Sequence, residues 1–197
     1  MSEKIFILLI EKKWDEVIYL LLEDPSLAST RIDSSGDDNL LNHENNKLSV
    51  LSGYLPLHVA LANGAPLAVI EVLLEAYPTA AKMTTKHGVL PVHYAAAGLS
   101  VDILKALQSR YPAGAAGKDS EGNIALHYAA ICNAPTEVFV TLLESYLEGC
   151  LLQNSDGEIP IEVYFLKNKD SRNIEVVNLL LDSAWQCLGG TVKDNDK

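Results

Sequence analysis

A short stretch that recurs at a nearly constant interval constrains the fold of this chain most strongly. It reads Gly-Tyr-Leu-Pro-Leu-His at 53–58, and it returns in related form at 88–93, 122–127 and 157–162. The intervals between the leading glycines are 35, 34 and 35 residues. A fixed period of this length predicts stacked supersecondary units rather than one globule around a single core.

Each unit has the pattern of two helices joined by a turn. Pro56, Pro91 and Pro160 stand where the first turn of a helix tolerates a missing N–H. The second helix shows apolar residues at i, i+1, i+4 and i+5, one face of a helix, beginning at Val69 in the first full unit. The turn between them is marked by a residue type that accepts positive φ, namely Gly64, Gly98, Asn133 or Asn168. These features predict an all-α repeat solenoid of helix–turn–helix units joined by hairpin loops.

The repeat boundaries predict a single domain over residues 1–185. A divergent N-terminal capping repeat (1–35), an inserted loop (36–52), three repeats (53–87, 88–121 and 122–156) and a C-terminal capping repeat (157–185) follow one another, and 186–197 is predicted as a flexible tail. The insertion, rich in Asp, Asn and Ser from residue 33, has two interpretations: a mobile surface loop, or an elongated finger that contacts a partner.

This pattern resembles the ankyrin repeat, whose signature is Thr-Pro-Leu-His with a helix–turn–helix and a period of about 33 residues. The segments 56–58 and 91–93 match it, and Leu126-His127 matches with alanine in the proline position. The family's capping threonine is replaced by Leu55, Leu90, Ile124 and Ile159. Loss of such a cap costs about 1 kcal/mol, which we expect greater leucine burial to offset. The resemblance implies that the repeat histidines hydrogen-bond the backbone near the hairpins.

Composition disfavours several classes of partner. The net charge of −11 and the absence of a basic patch argue against nucleic acid and anionic membrane surfaces. The apolar run at 5–10 is too short to span a membrane. Three cysteines at 132, 150 and 187 have neither metal-type spacing nor the pattern of a secreted disulfide framework, and Cys150 is predicted as a small buried filler. We therefore expect an intracellular, cytoplasmic protein.

No constellation of residues predicts catalysis. His58, His93 and His127 invite a metal interpretation, but one histidine per layer of helices about 8–10 Å apart cannot share one ion. The segment 114–119 is similar to a phosphate loop with the wrong spacing and no preceding strand. We accordingly predict a protein that is not an enzyme and that holds no metal or cofactor.

The ankyrin resemblance implies binding through the hairpin tips and the exposed side of the first helices. Alignment transfers these positions to fourteen predicted partner-binding residues: Tyr54, Ala62, Asn63, Lys86, His87, Val89, Ala97, Lys118, Glu121, Asn123, Ile131, Cys132, Asp156 and Leu166. The helix positions in this set are unusually apolar, which is typical of a protein-binding groove rimmed by charge. The alternative is that neighbouring units cover these side chains.

Three function classes follow from this architecture. The first is an adaptor or scaffold that binds a protein partner. The second is a structural accessory subunit integrated permanently in a larger assembly, which would expose more apolar surface. An enzyme or small-molecule-binding protein is the third, and no sequence feature recommends it. The chain is predicted to be a monomer alone or a subunit of a hetero-complex.

Overall fold

The computed structural model describes residues 2–31, 53–98 and 100–190, and within these ranges it contains helices and turns but no strand. The predicted loop at 36–52, the residues before it from 32, and 191–197 of the predicted tail lie outside the described residues. The α-helices are α1 Ser2–Ile10, α2 Trp14–Glu23, α3 Pro56–Ala62, α4 Leu67–Ala76, α5 Pro91–Ala96, α6 Val101–Arg110, α7 Ala125–Ile131, α8 Thr136–Ser145, α9 Pro160–Lys167 and α10 Ile174–Cys187. The predicted all-α repeat class is confirmed.

The chain divides into two compact units, here called the N-terminal unit (Met1–Pro91) and the C-terminal unit (Val92–Lys197). In the N-terminal unit, α1 packs on α2 and α3, and α4 packs on α2 and α3. In the C-terminal unit, α7 packs on α8 and α9, and α8 packs on α6 and α10. Within each unit, first helices thus pack on first helices and second helices on second helices of the next pair, as in α1 on α3 and α6 on α8, which is typical of a repeat architecture.

The second helices α4, α6 and α8 bury the apolar face that the sequence predicts, whereas on α10 the last residue of that face, Leu181, is 52% exposed. Val69 and Ile70 on α4 are both 0% exposed, and Leu73 and Leu74 are each 1% exposed. Burying one such side chain stabilises the folded state by about 2 kcal/mol relative to leaving it in water. The C-terminal unit adds an aromatic pair, Phe139 on α8 and Tyr164 on α9, with ring centroids 5.9 Å apart in an edge-on arrangement.

The turns between paired helices follow the prediction at three of its four positions. Gly64, Gly98 and Asn133 have φ values of 73°, 99° and 51°, the left-handed region that the turn requires. Asn168 has a φ of −115°, so its predicted role is wrong. Its buried amide instead donates to the carbonyl oxygens of Ala130 at 2.7 Å and Tyr164 at 3.0 Å, which satisfies the end of α9.

Short 3₁₀ segments after the second helices were not part of the predicted pattern. They span Pro25–Ser29, Pro78–Lys82, Pro112–Ala116 and Leu147–Leu151. At the other boundary, α10 continues two residues past the predicted domain end at 185, and the Gly190 N–H then donates to the Trp185 carbonyl at 3.0 Å. The start of the predicted tail is therefore ordered against its own helix.

Candidate functional site

The repeat histidines use both ring nitrogens as hydrogen-bonding groups of the backbone. In His58, Nδ1 accepts from the Leu55 N–H at 3.2 Å, and Nε2 lies 2.9 Å from the Met83 carbonyl oxygen. Because Nδ1 is an acceptor, Nε2 carries the hydrogen and donates to the carbonyl. His127 repeats this geometry with Ile124 at 3.2 Å and the Glu158 carbonyl at 3.1 Å. The structural role that the resemblance implied is confirmed.

These histidines also satisfy a backbone donor at the start of the helix, though not the one that a threonine hydroxyl would cap. Leu55 and Ile124 stand at the N-cap positions of α3 and α7, are each 1% exposed, and have no side chain that could cap. The imidazole at the third helical position reaches back instead and accepts the N-cap N–H, which is one half of a capping box. The half of the capping box that the absent hydroxyl would form is not replaced; burial of Leu55 and Ile124 stands in its place.

Burial keeps the histidines neutral. Desolvation lowers the pKa of His58 to about 4, despite the opposing hydrogen bond to the Met83 carbonyl. Desolvation likewise lowers the pKa values of His93 and His127, each of which also has a backbone carbonyl partner. Within the described ranges, no group of three or more His, Cys, Asp or Glu side chains is placed to hold a metal ion.

The three hairpin tips that precede Gly88, Gly122 and Gly157 are each built around one polar side chain three residues before that glycine. The Thr85 hydroxyl accepts from the backbone N–H groups of His87 and Val89, both at 3.3 Å. The Asn154 side-chain oxygen accepts from those of Asp156 and Glu158, both at 3.0 Å. Such side-chain-capped turns stabilise a hairpin through local hydrogen bonds. Sequence analysis missed these residues, although their fixed offset from the glycine is visible in the repeat.

Asp119 holds the most elaborate of these tips. Its carboxylate accepts from the backbone N–H groups of Glu121 at 2.9 Å and Asn123 at 2.8 Å, and from the Tyr128 hydroxyl at 2.8 Å. Partial burial by itself would raise the pKa of Asp119, but these hydrogen bonds to the ionised form prevail and the pKa lies below its ordinary value. The tip is therefore organised around the negative charge of the partly buried Asp119 carboxylate.

Successive hairpins of the C-terminal unit are joined to each other. The Ser155 N–H donates to the Glu121 carbonyl at 2.8 Å, and the Asn154 amide donates to the Asn123 side-chain oxygen at 3.1 Å. Gly122, with φ of 76°, lies where an added Cβ would be 3.0 Å from the Ser155 nitrogen. Close approach of the two hairpins and positive φ both require glycine at this position.

Most of the predicted partner-binding positions are accessible. In the N-terminal unit, Ala62, Lys86 and His87 are exposed, and Tyr54, Asn63 and Val89 are partly exposed. In the C-terminal unit, Ala97 is partly exposed, and the exposed residues are Lys118, Glu121, Ile131, Cys132, Asp156 and Leu166. Ile131 and Leu166 are 38% and 50% exposed, so the helices packed around them do not bury these two side chains.

Asn123 differs from the rest of the predicted set. It is 6% exposed, and its side chain lies between Asp119 and Asn154. A side chain so enclosed supports the hairpin from within, so Asn123 is not placed to contact a partner directly. Its polar character, which suggested an exposed tip residue, serves the hydrogen bonds between hairpins.

Comparison with protein families identifies the fold. A family model described as ankyrin repeats, in three copies, matches residues 57–156, slightly more than half of the chain. The chain belongs to the ankyrin-repeat family. No curated protein matches it significantly. Ankyrin repeats are generally protein–protein interaction modules and are typically non-enzymatic, so the exposed hairpin and helix positions are the candidate functional site.

One of several surface depressions in the described part of the chain lies on α9, and sequence analysis did not identify it. Phe165 and Leu166 on α9, 37% and 50% exposed, line it together with Gly157, Glu158 and Glu162. The Arg172 guanidinium lies 4.9 Å from the centre of the Phe165 ring. None of the described helices is long and apolar enough to cross a membrane.

Proposed function

We propose that this protein is a non-catalytic adaptor or scaffold that binds a protein partner through exposed positions of its ankyrin repeats. The observation that carries the proposal is the exposure of apolar side chains on consecutive first helices of the C-terminal unit. Ile131 on α7 and Leu166 on α9 are both accessible although α7 and α9 pack on each other. Apolar groups left accessible beside charged ones are typical of a recognition surface.

The chemistry around these side chains narrows the kind of partner. The depression on α9 combines two apolar side chains, Phe165 and Leu166, with the carboxylates of Glu158 and Glu162. The whole chain carries a net charge of −11. A protein segment that presents apolar residues flanked by Lys or Arg would match both features, and its association would weaken as salt is added.

A charge-introducing variant tests the proposal. Ile131→Glu places a carboxylate in the contact surface, and we expect loss of partner affinity of roughly tenfold or more. Val140→Glu is the matched control, because Val140 is 36% exposed on the second helix α8 and outside the predicted surface. The partner is obtained by mass-spectrometric identification of proteins that co-purify with the tagged chain at native abundance and at two salt concentrations.

Two results would contradict the proposal that this surface binds the partner. If Ile131→Glu and Val140→Glu weaken binding equally, the loss has no relation to the first helices. If Ile131→Glu unfolds the protein while Val140→Glu does not, Ile131 belongs to the core. Leu166→Glu, at a more exposed position of α9, provides a second variant that tests the surface with less risk to folding.

A specific observation also favours the second candidate, a permanent accessory subunit. Residues 174, 181, 185 and 188 are spaced at 7, 4 and 3 residues, which places them on one side of α10 and its end. They are Ile174, Leu181, Trp185 and Leu188, with exposures of 66%, 52%, 57% and 72%. A continuous apolar side of this kind is more typical of a subunit interface than of a solvated cap.

The two candidates separate in the same purification. A stoichiometric set of proteins that survives high salt would indicate an integral subunit. A substoichiometric partner that dissociates with salt would support the adaptor. If the protein is an integral subunit, Leu181→Glu should disrupt the association. If it is an adaptor, Ile131→Glu should disrupt the association and Leu181→Glu should leave it intact.

A further inference from the structure

Two of the three cysteines lie side by side although they are 37 residues apart in the sequence. Cys150 lies in the 3₁₀ segment Leu147–Leu151, is 2% exposed, and has its Sγ atom 3.6 Å from that of Cys187. Cys187 is the last residue of α10, is half-buried, and lies with its Sγ 3.6 Å from the Leu147 carbonyl oxygen. Packing of α10 on the 3₁₀ segment brings the two thiols together.

We propose that Cys150 and Cys187 form a reversible intramolecular disulfide that fastens the end of α10 to the 3₁₀ segment. A disulfide bond is about 2.05 Å long, so the two sulfur atoms need to approach by roughly 1.5 Å from their reduced separation. The position of Cys187 favours this movement, because α10 ends there and a turn at Gly189, with φ of 83°, follows. The reaction therefore displaces the end of one helix and leaves the core in place.

The oxidant in this proposal is a small disulfide such as oxidised glutathione. The Cys187 thiolate, the more accessible of the two, attacks one sulfur of the small disulfide and releases one small thiolate. Cys150 then loses its proton to solvent, attacks the Cys187 sulfur and releases the second small thiolate. Two protein thiols are oxidised to one disulfide, and one small disulfide is reduced to two thiols.

The surroundings of Cys150 determine which step is slow. Burial, together with the neighbouring Cys187 thiol, raises the pKa of Cys150 to about 12. Burial, the largest cause, still raises the pKa of Cys150 after Cys187 has become a mixed disulfide, and the thiolate is the attacking species. Ring closure by Cys150 should therefore be slower than formation of the mixed disulfide and should accelerate as pH rises. A slow, pH-dependent closure following a fast mixed disulfide is the kinetic signature of this pair.

Closure would stabilise the C-terminal helix pair. The bond would close a loop of 37 residues that contains α9 and most of α10. Restricting this loop in the unfolded chain should raise the midpoint of thermal unfolding by roughly 5–10 °C. The apolar side of α10 would be held in position by the same bond, so oxidation would act on whatever α10 contacts.

The test uses the full chain in buffers of oxidised and reduced glutathione, with peptide mapping of the disulfides under non-reducing conditions. Cys132 is the internal control, because it is exposed and lies apart from the other two thiols. We expect a Cys150–Cys187 linkage, a mixed glutathione disulfide at Cys132, and reversal of both by dithiothreitol. In Cys132→Ser, the linkage and its thermal shift should persist.

Other outcomes would overturn the proposal. If wild-type Cys187 remains a mixed disulfide while Cys150 remains a free thiol after prolonged incubation at raised pH, the pair does not close. Dimers linked through Cys132, with Cys150 and Cys187 both free, would likewise show that the pair does not form a disulfide. This mapping requires no variant of the pair, so the result does not depend on whether Cys150→Ser folds; where that variant folds, it should accumulate the Cys187 mixed disulfide.

Discussion

His127 on α7 and Glu162 on α9 occupy the same position in successive helix pairs, yet they connect different parts of the molecule. Both accept the N-cap N–H of their own helix, from Ile124 at 3.2 Å and from Ile159 at 2.9 Å. His127 is fully buried and also donates to the Glu158 carbonyl of the next hairpin. Glu162 is exposed and has no such second contact among the described hydrogen bonds.

The residue at this repeat position can either cap its own helix only, or cap it and also bind the following hairpin. An imidazole has a nitrogen on each side of its ring, so it caps its own helix and donates to the following hairpin at the same time. An ionised carboxylate only accepts, so it caps its own helix and cannot bind a further carbonyl. An interior repeat needs the connection, whereas the last described helix pair has no following hairpin that would need a donor.

Removing the connecting histidine should have the largest effect. His127→Ala leaves the buried Ile124 N–H without its acceptor, removes one of the two donors to the Glu158 carbonyl while the Asn154 N–H at 3.0 Å remains, and opens a cavity. We therefore expect a loss of roughly 3 kcal/mol in the free energy of unfolding. Urea denaturation measures the loss. Hydrogen exchange at the Ile124 amide should accelerate, while the amide of Ile159 keeps its protection from Glu162.

The control for this variant is the conservative His127→Gln, whose amide offers both an acceptor and a donor. It should recover part of the lost stability. If His127→Gln is no more stable than His127→Ala, then this position contributes through packing of the ring and not through its two hydrogen bonds.

Acid should weaken the histidine caps in a defined range of pH, because protonation of Nδ1 removes the acceptor of the N-cap N–H. Burial lowers the pKa of His58 to about 4 from an ordinary value of 6.5, so the unfolded chain binds more protons than the folded one between these values. The contribution, roughly 2–3 kcal/mol, is therefore complete above pH 6.5 and is lost as pH falls toward 4. The pKa values of His93 and His127 shift in the same direction and add to the slope.

Equilibrium unfolding of the wild type and of His58→Gln, measured between pH 7.5 and 4, tests this expectation. His58 is neutral in the folded and unfolded chains at the upper pH, and protonated in the unfolded chain at the lower one. The variant should show a shallower slope than the wild type over the same range. An identical slope would indicate that other groups cause the acid sensitivity, and that protonation of His58 Nδ1 does not cost the contact with the Leu55 N–H.

Substitutions at the hairpin tips should cause losses of intermediate size in the free energy of unfolding. Asp119→Ala removes an ionised acceptor of three hydrogen bonds at 2.8–2.9 Å, and we expect a loss of about 2 kcal/mol. Thr85→Ala removes a neutral acceptor of two bonds at 3.3 Å, and we expect about 0.5–1 kcal/mol. Urea unfolding at neutral pH compares the two.

Asp119→Asn separates the effect of charge from that of geometry, because Asn154 already holds its own tip as an amide. We expect this variant to keep most of the stability that Asp119→Ala loses. A loss as large as that of alanine would make the negative charge, rather than the turn geometry, the essential property of Asp119.

The sequence alone predicted the elements that depend on periodicity. Recurrence of the glycine, the proline at the start of α3, α5 and α9 and the four-residue apolar face of α4 were sufficient for the helix pairs and the turn at Asn133. The structural role of His58 was implied by the resemblance to the ankyrin repeat. These features are local, since each repeats its own residue types at fixed spacing. They predicted where helices begin and which face they bury because helix geometry translates spacing directly into direction.

What the sequence did not predict depends on contacts between distant residues. Burial of Asn123 arises from its bond to Asn154, and the proximity of Cys150 to Cys187 arises from packing of α10; neither has a signature in spacing. Asn168 was predicted from its residue type, but its amide satisfies carbonyls instead of adopting positive φ. Of the candidate surface, exposure agreed with prediction for most positions, while partner contact stays a prediction.

The smallest expected effect completes the comparison at α9. Glu162→Ala removes one hydrogen bond to the Ile159 N–H at an exposed site, where water can replace the carboxylate, so we expect a loss of about 0.5–1 kcal/mol. Glu162→Gln keeps the acceptor and removes the charge, and should lie between the wild type and the alanine variant. Hydrogen exchange at Ile159 and urea unfolding provide the two measurements. A loss from Glu162→Ala that matched the loss from His127→Ala would mean that the two positions are equivalent, and the distinction between a connecting residue and a self-capping one would fail.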